Sequence, residues 1–466
     1  MVKTGRGVLF DQRRTGSQLI ALIGLAFVAG VGTAAAQNLV ITNARILDGT
    51  GKVIERGAIV VRDGKIASVA PGNPAAVPGA RVINARGMTV MPGFIDAHRH
   101  PIQGNTAEWL QKDAADQMRG FLEAGFTTVL SAITPEEGLE LRKRTESGLI
   151  KGPRIVAASL IPLARAPGGG RGNVGGRGAA PLSVPGAQGA APAAPPAGRG
   201  DPARFDTSRP PLRPTEPAGA IPAEDTIKAV DAAARAGFDY IKTVMTITPG
   251  GPEIETLRLI VNEGKKHNLP TITHAVTVMD TLAAVDAGTG VLVHTPHIGR
   301  LDEDPAAVQK IVRAGIPMTS TLAVFIPHFS PDNVPLFRDR LPFPWNTISS
   351  AGQGPVNARL LWEAGISYGY GTDTSWPPKE SLRDELRALT LVFSPKDIVT
   401  ILTKNAARST LKQDQLGTLE PGKLADIVII NGDPLNNIYD VLNVVTTVKG
   451  GVVLSDKTGP AATRKR

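Results

Sequence analysis

The feature that most constrains the fold is an alternation of short apolar segments with helix-length amphipathic segments between residues 91 and 411. Strands are predicted over residues 93–98, 127–130, 154–157, 240–244, 271–274, 290–294, 318–322 and 367–371. Helices are predicted between and after them over 113–124, 223–236, 253–267, 278–287, 304–314, 355–364 and 394–411. Strand–helix alternation is typical of parallel sheets, and eight strands in this length predict a closed (β/α)8 barrel of the TIM type. The alternative is an open doubly wound sheet, but no glycine-rich nucleotide turn follows an early strand.

Short apolar runs also flank this region, over residues 37–90 and 412–456. In the first flank, Asp63-Gly64 separates two apolar runs, which is typical of the two-residue turn of a β-hairpin. The second flank has a similar texture. We therefore expect both ends of the mature chain to pair into a small β-sandwich domain beside the barrel.

The N-terminus has the composition of a secretory signal peptide. Residues 1–18 are polar and positively charged, and residues 19–36 are apolar and end in Ala34-Ala35-Ala36 before Gln37. This pattern predicts cleavage after Ala36 and a periplasmic or secreted protein without a stable membrane span. An uncleaved anchor is the alternative, because the apolar run approaches the length that crosses a bilayer.

Residues 164–222 interrupt the alternation with a segment dominated by glycine, proline, alanine and arginine. The segment has almost no large apolar residues to offset the entropy of ordering it, so we expect a flexible insertion in the barrel. Much of the formal charge of +9 lies in this segment, in residues 1–36 and in the basic tail 457–466. The remaining chain is near neutral and has no basic stripe with interleaved aromatic residues, so no nucleic-acid binding is expected.

Side chains able to bind a metal lie at the carboxyl ends of five predicted strands: His98 and His100, Lys242, His274, His294, and Asp373. Residues two apart in a strand face the same way, so His98 and His100 can reach one ion. In a (β/α)8 barrel the carboxyl ends of all strands lie at the end where sites are built. The chain has no cysteine, so a metal site must use histidine, carboxylate or lysine chemistry.

The motifs PGFIDAHRH, FDYIK, ITHAV, LVHTPH and YGTD follow one another in this order, and NAARSTLKQDQLGTLEPGKLADIVIINGDPL comes after them. Together they resemble the amidohydrolase superfamily of metal-dependent hydrolases, over about 38–455 apart from the insertion. The lysine of the fourth strand resembles the branch that has a carboxylated lysine and two metals, which includes prolidase-like and imidazolonepropionase-like enzymes.

The resemblance implies that the site holds two divalent ions, zinc by default. One ion would be bound by His98, His100 and Asp373, and the second by His274 and His294. Lys242, as a carbamate, would bind both. A lysine ammonium has no lone pair, whereas a carbamate offers anionic oxygen atoms to such ions. The resemblance further implies that Asp373 is the catalytic residue, which takes a proton from the attacking water and passes it to the leaving nitrogen.

We expect an exported hydrolase that cleaves the C–N bond of a small amide, such as a dipeptide or an N-acyl amino acid. A cyclic-amide hydrolase, and a deaminase or lactonase of the same superfamily, are alternatives. Lys242 argues against the one-metal deaminases. A catalytically inactive metal-binding barrel is a further alternative, and a homo-oligomer is possible.

Three more residues are candidates for substrate binding: His297, three residues after His294; His328, after the seventh strand; and Tyr240, on the same strand face as Lys242. Tyr240 could instead fill the barrel. Arg99 lies between the two histidines of the first strand and should point outside the barrel, where it needs a carboxylate or solvent.

Overall fold

The computed structural model describes residues 38–165, 216–326 and 345–457, with only the backbone described for 345–351. The predicted signal peptide, most of the insertion, His328 and most of the basic tail lie outside these ranges. The strands are β1 Leu39–Leu47, β2 Val53–Arg62, β3 Lys65–Pro71, β4 Arg81–Asn84, β5 Thr89–Pro92, β6 Phe94–Arg99, β7 Phe126–Ser131, β8 Arg154–Leu160, β9 Tyr240–Val244, β10 Thr271–His274, β11 Val291–Val293, β12 Met318–Thr319, β13 Tyr368–Gly369, β14 Ile427–Ile430, β15 Val444–Lys449 and β16 Val452–Asp456.

The α-helices are α1 Thr106–Lys112, α2 Ala114–Glu123, α3 Leu139–Glu146, α4 Ala223–Ala236, α5 Glu253–Lys266, α6 Val278–Asp286, α7 Pro305–Arg313, α8 Trp345–Glu363, α9 Pro378–Leu389, α10 Pro395–Thr400 and α11 Ala406–Ser409. A π-helical turn, Ile401–Asn405, joins α10 to α11. None of the helices in the described ranges is long and apolar enough to cross a membrane.

Strands β6 to β13 pair in parallel and in chain order. Backbone hydrogen bonds also join the two end strands, because the Ala97 N–H donates to the Tyr370 carbonyl at 3.0 Å and the Thr372 N–H donates to the His98 carbonyl at 3.1 Å. The prediction of a (β/α)8 barrel is confirmed, and the open-sheet alternative is excluded.

The predicted strands are largely those of the structure, but β12 and β13 are shorter than expected. The chain leaves the extended conformation after them, and Thr321 and Asp373 have φ angles of 47° and 55° in the left-handed region. The predicted start of a helix at 355 was wrong, because α8 begins at Trp345 and holds Pro355 inside it.

The two ends of the chain share one mixed sheet, as predicted. Its strand order is β16-β15-β14-β5-β1-β2-β3, with β4 also paired to β1. Strand β14 runs antiparallel to β5, with Ile427 opposite Pro92. The Asp63-Gly64 turn joins β2 to β3, and both residues have a positive φ, as a two-residue hairpin turn requires.

Apolar side chains of neighbouring strands form one cluster in the barrel interior: Leu130, Ala132, Val156, Ala158, Tyr240, Ile272, Val291 and Val293. A second and larger apolar cluster packs the outer face of the strands against the helices. In barrels of this type, polar site residues lie at the carboxyl ends of the strands.

Candidate metal centre

Asp373 joins the first and last strands of the barrel at their carboxyl ends. Its Oδ1 atom lies 3.1 Å from His98 Nε2 and 2.8 Å from His100 Nε2. The carboxylate is only 10% exposed, and His98 is buried. Burial alone would raise the pKa of Asp373, but His98 and His100 outweigh that effect and hold it well below its ordinary value. The three residues therefore place one anionic oxygen between two imidazole nitrogens.

His274 and His294 form the other half of the cluster. His274 Nδ1 lies 2.6 Å from His294 Nε2, and that same His294 nitrogen lies 4.0 Å from Asp373 Oδ2. The ring centroids of His98 and His294 are 5.0 Å apart, so the two groups of residues pack against each other and form one cluster. Burial lowers the pKa of His98 and of His274 to about 3. Both rings are therefore neutral at pH 7, and the neutral imidazole is the form that binds metals.

Lys242 completes the set of predicted ligands. Its side chain is 2% exposed, and its Nζ atom has no hydrogen-bond partner among the described residues. Burial lowers its pKa to about 7, although the charge of Asp373 acts in the opposite direction. An unpartnered buried amine costs free energy unless another group satisfies it. In the part of the chain that the structure describes, His98 Nδ1 and His274 Nε2 also have no partner. The donor set, imidazole nitrogens with a carboxylate and an amine, fits zinc, manganese, cobalt or iron.

His294 reaches the cluster because its backbone departs from a regular strand. Val291 and Val293 face the barrel interior, so alternation would turn His294 outward. Its φ angle of 77° lies in the left-handed region and turns the ring inward. Thr321 Oγ1 then lies 2.7 Å from His294 Nδ1 and fixes the ring. His294, Thr321 and Asp373 all have a positive φ, so backbone strain is concentrated at this site.

Asp96, which the sequence analysis did not select, holds the first and last strands in place. Its carboxylate accepts hydrogen bonds from the His98 N–H at 3.2 Å, the Thr372 N–H at 3.2 Å and the Thr372 hydroxyl at 2.8 Å. Burial raises its pKa to about 6, while Arg99 acts to lower it. The signal in the sequence was its position two residues before His98 on the same strand.

The environment of Arg99 is not the expected one, which was a carboxylate or solvent outside the barrel. Its side chain is almost completely buried, and the nearest carboxylate, Asp96, is 3.9 Å away. The guanidinium instead donates to the hydroxyls of Thr372 and Thr374 at 3.0 Å and 2.6 Å, and to the Trp376 carbonyl. These contacts tie β6 to the segment on either side of Asp373.

Glu385, on α9, was also missed by the sequence analysis. Its buried carboxylate accepts from the Leu322 N–H at 2.9 Å and the Ala323 N–H at 2.8 Å. It thereby fixes the segment that carries Thr321 and Phe325. Burial raises its pKa to about 7. In an amphipathic helix, a single glutamate looks like an ordinary surface charge, so no pattern in the sequence distinguishes Glu385.

The raised pKa of Glu385 predicts a pH effect on stability. Between pH 4.5, the ordinary pKa, and about 7, the folded protein holds a proton that the unfolded chain releases. The contribution of Glu385 to the free energy of unfolding is therefore present below this window and lost as pH rises through about 7. Urea unfolding measures this effect. Between pH 5 and pH 7.5, the free energy of unfolding should decrease less for Glu385→Gln than for the wild type. The control is Glu380→Gln, an exposed position on the same helix, which should show the same decrease as the wild type. If Glu385→Gln also shows the wild-type decrease, Glu385 does not have a raised pKa.

Two of the other predicted residues, His297 and Tyr240, lie in the described part of the chain, and both are buried. His297 is buried beside Phe325, with a ring-centroid distance of 4.3 Å, and neither of its ring nitrogens has a partner within the described ranges. Burial lowers its pKa to about 3. Tyr240 belongs to the apolar interior, where its hydroxyl donates to the Thr410 carbonyl, so the structure does not bring its hydroxyl to the ligands.

A family model described as the amidohydrolase family matches residues 89–454. The chain belongs to the amidohydrolase family. The resemblance seen in the sequence is thereby confirmed, and this amidohydrolase is a hydrolase that acts on carbon–nitrogen bonds.

Two curated relatives of this amidohydrolase are imidazolonepropionases. The protein from Shouchella clausii is 28% identical over 202 residues, which are 42% of this chain and 40% of that relative. The protein from Thermoanaerobacter pseudethanolicus is 25% identical over 418 residues, which cover 85% of this chain and 89% of that relative. Among solved structures, a Xaa-Pro dipeptidase with bound methionine is 20% identical and matches with a TM-score of 0.67, over 90% of this chain and 99% of that one. At 20% identity, the match to the Xaa-Pro dipeptidase shows only that the two proteins share a fold.

Proposed function

We propose that this amidohydrolase is a two-metal enzyme that cleaves the C–N bond of a small amide. The observation that carries the proposal is the buried Lys242 Nζ, which has no partner among the residues that the structure describes and lies in a cluster with four histidines and Asp373. A neutral lysine amine can add carbon dioxide: an N–C bond forms, one proton leaves, and the product is an anionic carbamate. Such a group would supply the oxygen ligands that the cluster otherwise lacks between its two halves.

Two divalent ions held by these residues would polarise an amide carbonyl and lower the pKa of water. The protein groups have distinct tasks in the reaction. His98 and His100 contact Asp373 Oδ1, so Oδ2 is the oxygen that accepts a proton from the attacking water. The same oxygen then passes that proton to the leaving nitrogen. One water is consumed, the C–N bond breaks, and a carboxylic acid and an amine are released.

For the substrate class we propose a dipeptide or an N-acyl amino acid, supported by the shared fold with the Xaa-Pro dipeptidase. A cyclic amide is the second candidate, because the relative that matches along most of its length is named an imidazolonepropionase. We also propose that the protein is exported and begins at Gln37, supported by the composition of residues 1–36.

Metal content per chain tests the proposal. We expect about two equivalents in the wild type, and about one or fewer in Lys242→Ala, because the bridging group is lost. Incorporation of ¹³C-bicarbonate, followed by NMR, should give a carbamate signal that is absent from Lys242→Ala.

Lys449→Ala is the matched control for the lysine substitution. Lys449 is also mostly buried, with its pKa lowered to about 8, but its Nζ donates to the Thr145 and Gly152 carbonyls, away from the cluster. This variant should keep both the metal and the carbamate signal. One equivalent of metal, unchanged in Lys242→Ala, would exclude the bridging role and favour one-metal chemistry such as deamination. No metal after growth with zinc or manganese would overturn the proposal.

A further inference from the structure

Leu160 is a large apolar residue that remains exposed at the carboxyl end of the barrel. Val156 and Ala158 of the same strand lie in the interior cluster, whereas Ile155 and Ile161 lie in the outer one. Alternation therefore directs Leu160 into the barrel. Its exposed fraction is 38%, although Ala158, one interior position below it, is completely buried.

Leu160 is also the direct strand neighbour of Lys242. The two residues are register partners in the pairing of β8 with β9, and the Ile161 N–H donates to the Lys242 carbonyl at 2.9 Å. Val244 is the next residue of β9 on the face of Lys242, and it is partly exposed and in register with His274. Leu160 and Val244 thus form an apolar wall beside the ligand cluster.

The position of this wall in the barrel determines which part of a substrate it meets. Asp373 follows β13, and β13 is joined to β6. Counted from β13 through β6 in this ring of eight strands, β8 is the third strand and β9 is the fourth. The proposed function requires the leaving nitrogen to face Asp373. The substituent on the other side of the carbonyl carbon must then point toward Leu160 and Val244.

We propose that the acyl part of the substrate carries an uncharged apolar chain of several carbons, and that Leu160 selects it. This inference rests on the proposed function, because it takes its orientation from Asp373 and from a carbonyl held at the ligand cluster. Exposed apolar surface inside a polar site favours an apolar partner, since contact removes both surfaces from water. A charged group placed there would lose hydration without gaining a partner from Leu160 or Val244.

Hydroxamic acids provide the probes, because their head group chelates divalent ions while the tail can be varied. Calorimetric titration of the zinc-loaded protein should show hexanohydroxamate binding about 100-fold more tightly than acetohydroxamate, the effect of burying several methylenes. The monohydroxamate of succinic acid, with a charged tail, should bind no better than acetohydroxamate. In Leu160→Ala the preference for the long tail should fall about tenfold, and in Leu160→Asp it should disappear. Leu160→Met should keep it, because the side chain is similar in size and polarity.

Leu149→Ala is the matched control, because Leu149 is 71% exposed and follows α3 rather than lying in a barrel strand. It should leave the tail preference unchanged. Two results would overturn the inference and leave the proposed function in place. In the first, acetohydroxamate binds to the wild type, but the longer tail raises the affinity by less than about threefold. In the second, Leu160→Asp keeps the higher affinity for the longer tail. If no hydroxamate binds to protein that contains metal, both are overturned.

Discussion

Asp373→Asn is expected to lower kcat by about 10²- to 10⁴-fold, the range typical of a lost proton-transfer group. The amide of asparagine is close in size to the carboxylate, so it can keep contacts with His98 Nε2 and His100 Nε2, which lie 3.1 Å and 2.8 Å from Asp373 Oδ1. It cannot accept a proton from water or pass one to the leaving nitrogen. The substitution should therefore act on the chemical step, with a smaller effect on KM.

The measurement is the steady-state rate on the best substrate of a panel of dipeptides and N-acyl amino acids, with metal content determined on the same samples. Asp302→Asn is the control, since Asp302 is an aspartate paired with Arg300 at the protein surface. It should retain full activity. A fall in kcat of less than tenfold, with metal retained, would show that Asp373 is not the group that moves the proton.

Asp96→Ala should have the largest effect on stability, a loss of about 3–5 kcal/mol. The substitution removes the carboxylate nearest to the buried Arg99 guanidinium, at 3.9 Å. It also leaves the His98 N–H and the Thr372 hydroxyl without their acceptor, and the Thr372 N–H with the His98 carbonyl alone. An unpaired buried cation and unpartnered buried donors both cost free energy that water would otherwise recover.

Urea unfolding curves of the wild type and variants provide the test. Combining Asp96→Ala with Arg99→Met should recover part of the loss, because the uncompensated charge is then gone. Asp116→Ala serves as a control, since Asp116 and its partner Arg119 form an ion pair with both side chains exposed. Its effect should stay within about 1 kcal/mol. A similar small effect for Asp96→Ala would mean that Arg99 is held by the threonine hydroxyls and the Trp376 carbonyl alone.

The barrel could be predicted because its strands and helices alternate in hydrophobic period, and that pattern depends on local sequence. The proximity of the candidate ligands could be predicted because each lies in the carboxyl-terminal part of a strand or follows it, and parallel strands bring their carboxyl ends together. His294 was selected by this rule, but strand alternation would have turned it outward. Its inward direction depends on a positive φ that no residue pattern announces.

The supporting residues were out of reach for a different reason. Asp96 and Glu385 act through backbone N–H groups of segments distant in the chain, so their partners are defined only by the fold. Arg99 was assigned the correct direction but not its environment, because hydroxyl groups of Thr372 and Thr374 replace the expected solvent. The start of α8 was misplaced because proline is common in the first turn of a helix, whereas Pro355 lies further along.

The pairing of β5 with β14 also sets an order of events during synthesis. Strand β5 lies between β1 and β14, so one of its edges stays open until residues Ile427–Ile430 have left the ribosome. By then the whole barrel sequence has been translated, and closing this sheet requires contacts across more than 300 residues of chain. Such distant pairings are slow to form. The small sheet is therefore completed only after the barrel sequence has been translated, and a nascent chain stalled before Ile427 would expose a strand edge that invites aggregation.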